Sequence, residues 1–397
     1  MKLSDLGPGL LLAATGVGVG DMIASTIAGA EHGLTLLWAV AFGVVIKLAI
    51  TEGAARWQLA TGATLLEGWR DHLPRIVLAM FGAYFLVWSY FVSSALVSAS
   101  ALVPAAIMPS VPLAVWGVIH AVIAFVVVFV GRYERFLSTI KKLIAIKFAA
   151  VVTAAVTIAV RSGAELASAA PRSPFSTMDA LALIGGVGGT VTLLSYGYWV
   201  REAGWSGTGR LATARTDLAV SFALVLVFCV SMMVIAANVS WEGHVLEEGP
   251  RLCLLVADRI GEAIGPIGRA IFLVGFWGTA FTSVLGVWHG VPYLFDDWLR
   301  LWRGTAAQGQ TGRPYRLWLA YLAFAALSAL ILGRPVWLVY AYTVVGSLFF
   351  PFVISTLLWL NNASRAQRTA PNGIVANVVL GAALLLYVLL TVHSIAG

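Results

Sequence analysis

The chain has 397 residues, 60% of them hydrophobic and 11% charged, with a formal net charge of +7 and a mean hydropathy of +0.91. That balance excludes an ordinary soluble domain, because apolar stretches of about twenty residues, each long enough to cross a bilayer, recur along the whole length. It also excludes an outer-membrane β-barrel, which would show alternating segments of about ten residues.

In chain order the hydropathy predicts an all-α integral membrane protein with about eleven spans, near 8–30, 34–58, 76–104, 110–131, 135–160, 178–201, 215–239, 265–292, 315–333, 336–361 and 373–395. The apolar stretch from Leu10 is expected to be the first of these spans, not a cleaved signal peptide. The longest connection, about 240–264, contains the polar run W-E-G-H-V-L-E-E-G-P-R-L, and R-G-T-A-A-Q-G-Q-T-G-R follows span eight. Arginines such as Arg56, Arg70, Arg75, Arg132, Arg135, Arg201, Arg210, Arg215, Arg300, Arg303, Arg313, Arg316, Arg365 and Arg368 gather on the connections that share the N-terminal side. The positive-inside rule therefore predicts a cytoplasmic N-terminus in a cell (inner) membrane.

Two spans carry glycine-rich interruptions. Span one breaks at Gly16–Gly20, followed at once by Asp21; span six breaks within G-G-V-G-G-T-V-T-L-L-S-Y-G-Y, residues 185–198. They open two consecutive groups of five spans, which predicts a repeat over 1–160, a second inverted repeat over 178–361, and an added eleventh helix over 373–397. Matched breaks in two halves point to a midplane binding site, since irregular backbone at that depth must be buried or line a cavity. The competing reading is that the glycines only let helices pack closely.

Span one opens with Gly7-Pro8-Gly9 and runs to Gly29-Ala30-Glu31-His32-Gly33. Span two ends E-G-A-A-R-W-Q-L-A-T-G-A-T-L-L-E-G (residues 52–68), and G-R-Y-E-R-F-L occupies 131–137. These segments resemble the natural-resistance-associated macrophage protein (NRAMP) family of divalent-metal transporters, well over the first six spans and by architecture beyond. The resemblance implies a LeuT-type fold of the APC superfamily, five plus five helices in inverted repeat, with helices one and six broken. It departs from the family at the metal motifs. Where the family has Asp-Pro-Gly-Asn, this chain aligns Gly18, Val19, Gly20 and Asp21. Where the family has Met-Pro-His-Asn, it aligns Thr192, Leu193, Leu194 and Ser195. The expectation is a retained scaffold with a rewritten site.

Asp21 is the leading candidate for substrate or proton binding, because a carboxylate at mid-depth costs at least ~2.5 kcal/mol on insertion scales and normally faces a cavity or partner. Asp21, Thr192 and Ser195 offer a candidate oxygen site for a hard cation such as magnesium, with carbonyls near Gly18 and Gly20 beside them. Tyr196 and Tyr198, with Trp199 and Trp205, are instead candidates to wall a pocket for an organic solute. Lys147 in span five is a candidate proton-coupling group with Asp21; the competing reading is that it snorkels to the surface. Lys47 is assigned an ion pair with Glu52 or a nearby acid, and Glu52 and Arg56 an i,i+4 pair. His120 and His289 read as packed histidines, and Asp296 and Asp297 as solvated.

The expected function is an NRAMP-related secondary active transporter whose transition-metal site is lost, with magnesium as the cation version. The alternative is a proton-coupled carrier of a small anionic or zwitterionic organic solute, and less favoured is a non-transporting sensor on the same scaffold. Membrane lipid, a small ion or solute, and protons are the expected partners. No cofactor, nucleic-acid partner or enzymatic activity is expected: Cys229 and Cys253 have no metal-ligand spacing, and the chain lacks a G-x-x-x-x-G-K-[ST] nucleotide loop.

Overall fold

A computed structural model describes residues 8, 9, 12, 18–130, 133–168, 173–241, 249–305, 312–363 and 370–396. Among them every regular element is helical. The chain runs through α1 (Val19–His32), α2 (Leu37–Thr61), α3 (Leu65–His72), α4 (Arg75–Ser100), α5 (Leu102–Ile107), α6 (Leu113–Phe129), α7 (Tyr133–Ser168), α8 (Thr177–Gly186), α9 (Ser195–Glu202), α10 (Leu211–Ala237), α11 (Arg251–Ile264), α12 (Pro266–Arg303), α13 (Arg313–Ala329), α14 (Pro335–Ser347), α15 (Phe349–Ala363) and α16 (Ile374–Ala396).

Among the described residues, eight stretches are long and apolar enough to span a bilayer: Leu37–Thr61, Arg75–Ile107, Ala145–Gly163, Thr177–Arg201, Thr208–Ala237, Pro266–Arg303, Arg313–Leu332 and Pro335–Ala363. Leu113–Phe129 and Ile374–Leu390 are shorter apolar helices. Together with α1 they follow the sequence pattern span by span. The expected segments 131–132, 242–248, 306–311 and 364–369, and much of the stretch before Gly18, lie outside the described residues.

Local signals set the element ends. The Thr64 side chain accepts the Glu67 amide while the Glu67 carboxylate accepts the Thr64 amide, a capping box that starts α3. Ser176 and Asp179 start α8 in the same way. Pro266 occupies the first turn of α12, where its missing N–H is no loss. Inside α12, Pro292 removes a ladder donor, and beside it the Tyr315 hydroxyl donates to the His289 carbonyl at 3.2 Å.

The two interrupted spans lie at the centre. Pro8, Gly9 and Leu12 are helical, Gly18 is extended (φ −94°, ψ −169°), and α1 begins at Val19. The second interruption runs from the end of α8 at Gly186 to a 3₁₀ turn, Val191–Leu194, that leads into α9. There Gly188 and Gly189 have φ of +75° and +87°, a region that L side chains rarely enter. α1 packs against α10, α14 and α8, while α2 packs against α10 and α8. On the other side, α4 and α7 pack against α12, and α14 joins α4 to α8.

The glycines do two things, at different residues. Gly18, Gly188 and Gly189 form the breaks. Gly20 and Gly186 let two backbones touch: a Cβ on Gly20 would lie 3.3 Å from the Gly186 carbonyl oxygen, and one on Gly186 would lie 2.7 Å from the Ala24 Cβ. Gly20, a candidate substrate contact in the sequence, is thus also a packing residue.

Candidate functional site

Asp21 sits in the first turn of α1 and is 2% exposed. One carboxylate oxygen accepts the Gly18 amide at 3.2 Å, within its own break. The other accepts the Gly188 amide at 2.7 Å, across in the second break. The Cys229 thiol of α10 donates to that same oxygen at 3.6 Å. One carboxylate therefore satisfies amides that both interruptions release, in surroundings where an unmatched amide costs several kcal/mol.

Opposite the carboxylate, Lys47 of α2 is fully buried, and its ammonium donates to the Gly185 carbonyl at 3.0 Å and to the Val187 carbonyl. Those carbonyls belong to the last turn of α8 and to the residue just past it, where the helix dipole places partial negative charge. Asp21 is within electrostatic reach of this ammonium. The Phe350 ring lies 5.0 Å beneath it. Of the two partners expected for Lys47, Glu52 or a nearby acid, the structure rules out Glu52 and leaves Asp21 as the nearby acid. Glu52 instead binds Arg56 at 2.5 Å and Arg215 at 2.8 Å. The signal that would have found Lys47 was its position: a buried ammonium needs acceptors, and the break in span six releases carbonyls.

Lys147 of α7 is also fully buried, so it does not snorkel. Its ammonium donates to Thr279 Oγ1 of α12 at 2.9 Å and to Met22 Sδ of α1 at 3.2 Å, with the Phe228 ring at 4.7 Å. Asp21 is its electrostatic partner as well. Met22 was not singled out in the sequence. It returns a thioether to the centre from the first broken helix, where the expectation had been that the thioether was lost from the second.

The structure does not gather the rest of the expected set around Asp21. Thr192 lies in the 3₁₀ turn and Ser195 opens α9, and neither hydrogen-bonds Asp21. The Tyr196 hydroxyl binds Asp217 at 3.1 Å, and that carboxylate also accepts the Gly9 amide at 2.6 Å. The Tyr198 hydroxyl binds Asp297 at 2.6 Å, so both tyrosine hydroxyls have partners away from the breaks. Among the described residues, no group of three or more His, Cys, Asp or Glu side chains is placed to hold a metal ion.

Asp296 and Asp297 are buried, not solvated. Asp297 joins a cluster at one end of the bundle. Arg300 binds Asp297 at 2.6 Å and Glu67 at 2.8 Å, and Arg201 reaches Glu67 at 3.3 Å and the Gly62 carbonyl at 3.1 Å. Burial pushes the Glu67 carboxyl up, but the Thr64 amide and the two guanidiniums outweigh it and bring it down to about 2. At the opposite end of α1, His32 lies 3.4 Å from Asp179, with its other ring nitrogen 3.1 Å from the Ser173 carbonyl. Tyr340 donates to Asp179 at 3.0 Å, and these residues line a small cleft with Ala24, Ile27 and Ala28. His120 is packed as expected: Trp277 donates to its Nε2 at 2.8 Å, and its Nδ1 meets the Trp116 carbonyl at 2.6 Å.

Two broken helices crossing at their glycines, bridged by one buried carboxylate inside a helical membrane bundle, define a multi-pass membrane protein of the LeuT-type transporter fold. Solved structures share it. The manganese transporter of Eremococcus coleocola superposes with a TM-score of 0.73 at 14% identity, over 98% of this chain and 85% of that one. MhsT, solved with L-phenylalanine, superposes with a TM-score of 0.66 at 14% identity, over 97% of each chain. In sequence, the divalent metal cation transporter MntH of Yersinia pestis is 33% identical over 97 residues, which is 24% of this chain and only 22% of that relative's length. The natural resistance-associated macrophage protein-like (Nramp) family profile matches residues 9–397, and the chain belongs to that family.

Proposed function

We propose that this chain is a secondary active transporter of divalent metal ions, working by alternating access around the two helix breaks. The observation that carries the reading is the pair of carbonyls, Gly185 and Val187, that the second break turns onto one cationic group, the Lys47 ammonium, with the Asp21 carboxylate in electrostatic reach. Carbonyls at a half-helix C-terminus and a facing carboxylate make a cation site. Family membership supports the same cargo, since its relatives include proteins named for divalent metal and for manganese transport.

Magnesium is the reading that an oxygen-only site of Asp21, Thr192 and Ser195 would serve. The Met22 thioether and the Cys229 thiol beside this centre are soft donors, which favour a transition-metal ion over magnesium. The two repeats, 1–160 and 178–361, would rock against each other, with 373–397 added at the side. The arginine-rich end that carries Arg56, Arg201, Arg215 and Arg300 would face the cytoplasm of the cell. Protons are the proposed coupling ion, with Lys147 and Asp21 as their carriers.

A second reading has one observation in its favour. Lys147 brings a second ammonium to a centre with one nearby carboxylate, a balance that suits an anionic or zwitterionic organic solute. Uptake of manganese, magnesium and calcium into proteoliposomes under an inward-negative potential separates the two. Asp21-dependent manganese uptake is expected. Magnesium uptake alone would return the site to hard oxygen ligands. Absence of any metal flux from folded protein would sink the metal reading in favour of the organic solute, and absence of all solute flux would leave a sensor.

A further inference from the structure

We propose that the Lys47 ammonium is a tethered cation that occupies the cargo's place at the helix breaks and has to leave it before a metal ion can bind. The proposal rests on the metal-transport reading above and adds the identity of the competing group.

The geometry is that of a bound cation, not of a side chain at rest. Lys47 comes from α2, yet its terminal nitrogen lies on two carbonyls of the last turn of α8 and its break, 138 and 140 residues away in sequence. Both acceptors are carbonyls that the interruption at Gly186–Thr190 frees from the helical ladder. The stem runs past the break, since a Cβ on Gly188 would come within 3.5 Å of the Lys47 Cδ. The Phe350 ring closes the far side at 5.0 Å, and the charged group in electrostatic reach of the ammonium is Asp21. Two neutral carbonyls and one carboxylate suit a single monovalent charge. A divalent ion on the same carbonyls would meet the ammonium at contact distance, where like charges repel strongly away from bulk water. The ammonium and the metal therefore exclude each other. The rotatable lysine stem gives the group a way out when the breaks open.

Two measurements on the full-length protein in nanodiscs test this independently. The first is manganese binding by titration of the free Mn²⁺ paramagnetic signal. Lys47→Met keeps the apolar stem and removes the charge, so it is expected to bind Mn²⁺ at least about tenfold more tightly than wild type, and Lys47→Arg no more tightly. Equal affinity in Lys47→Met and wild type would overturn the proposal. The second needs no metal. Lys47→Ala leaves a channel with unpaired carbonyls, and millimolar n-propylammonium is expected to raise its thermal unfolding midpoint while leaving wild type unmoved. No protection of Lys47→Ala would also overturn it. Failure of the metal-transport reading looks different: no variant binds Mn²⁺, while propylammonium still protects Lys47→Ala.

Discussion

The carboxylate of Asp21 accepts the amide of Gly188 at 2.7 Å, so a residue of the first broken helix holds the backbone of the second break. Its other oxygen caps its own helix through Gly18. Asp21 thus acts as a joint between the two breaks as well as a candidate ligand, and its substitutions should separate the two roles. Asp21→Asn is expected to abolish uptake with modest loss of stability, because the amide oxygen can still accept one of the N–H groups. Asp21→Ala is expected to lose uptake and also about 2–4 kcal/mol of stability, the cost of leaving two buried amides unmatched. Thermal unfolding of both variants beside uptake checks this; near-normal uptake in Asp21→Asn would remove the charge from the mechanism.

Lys147 is held by Thr279 and Met22 across three helices. If it carries the coupling proton, Lys147→Met should flatten the pH dependence of uptake, and Thr279→Val should shift that dependence without removing it. Uptake measured across a series of external pH values decides. A Lys147→Met profile that tracks wild type would make the lysine structural.

Glu67 joins Arg201 and Arg300 at one end of the bundle, and its carboxyl is held at about 2. A carboxyl held below its ordinary value stabilises this closure above that value and loses the contribution as pH falls toward about 2, so the closure is at full strength at neutral pH. Glu67→Gln should weaken it there. The buried Cys229 thiol beside Asp21 is a built-in reporter of opening. In a Cys253→Ser background, Glu67→Gln is expected to speed Cys229 modification by a membrane-permeant maleimide about tenfold, as the loss of charge-assisted hydrogen bonds implies. An unchanged rate would exclude Glu67 from the closure.

His32 behaves in the opposite sense. Burial opposes its charge, but the Asp179 carboxylate and the Ser173 carbonyl outweigh burial and raise it above the ordinary histidine value. The contribution is therefore complete below about pH 6.5 and is lost as pH rises through the raised value. His32→Gln should remove the part of the unfolding midpoint that falls as pH rises above about 6.5. A wild-type midpoint that is flat over that range would show that the pair contributes nothing.

The spans and both interruptions were legible in the sequence because hydropathy and glycine placement act locally. Asp21 was legible for the same reason, since a carboxylate inside an apolar run demands a partner wherever the run folds. The identity of that partner was not. Gly188 lies 167 residues away, and only the crossing of α1 and α8 at Gly20 and Gly186 brings it to the carboxylate. The carbonyl partners of Lys47 and the role of Met22 are not legible on their own helices; their meaning depends on carbonyls and an ammonium supplied by other helices. Thr192 and Ser195 were inferred from an ungapped match to a motif, but the frame of that match does not fix where the backbone leaves the helix. The interruption starts at Gly186, several residues earlier.

The contact of Gly20 with Gly186, together with the carboxylate that serves both breaks, has a mechanical result. Neither half-helix can swing alone without stripping an amide of its acceptor, so the pair turns as one lever. A lever of that kind does not slip. In the transport cycle proposed above, intermediate positions in which one side has opened before the other has shut are then disfavoured, and with them a continuous path for ions through the bilayer.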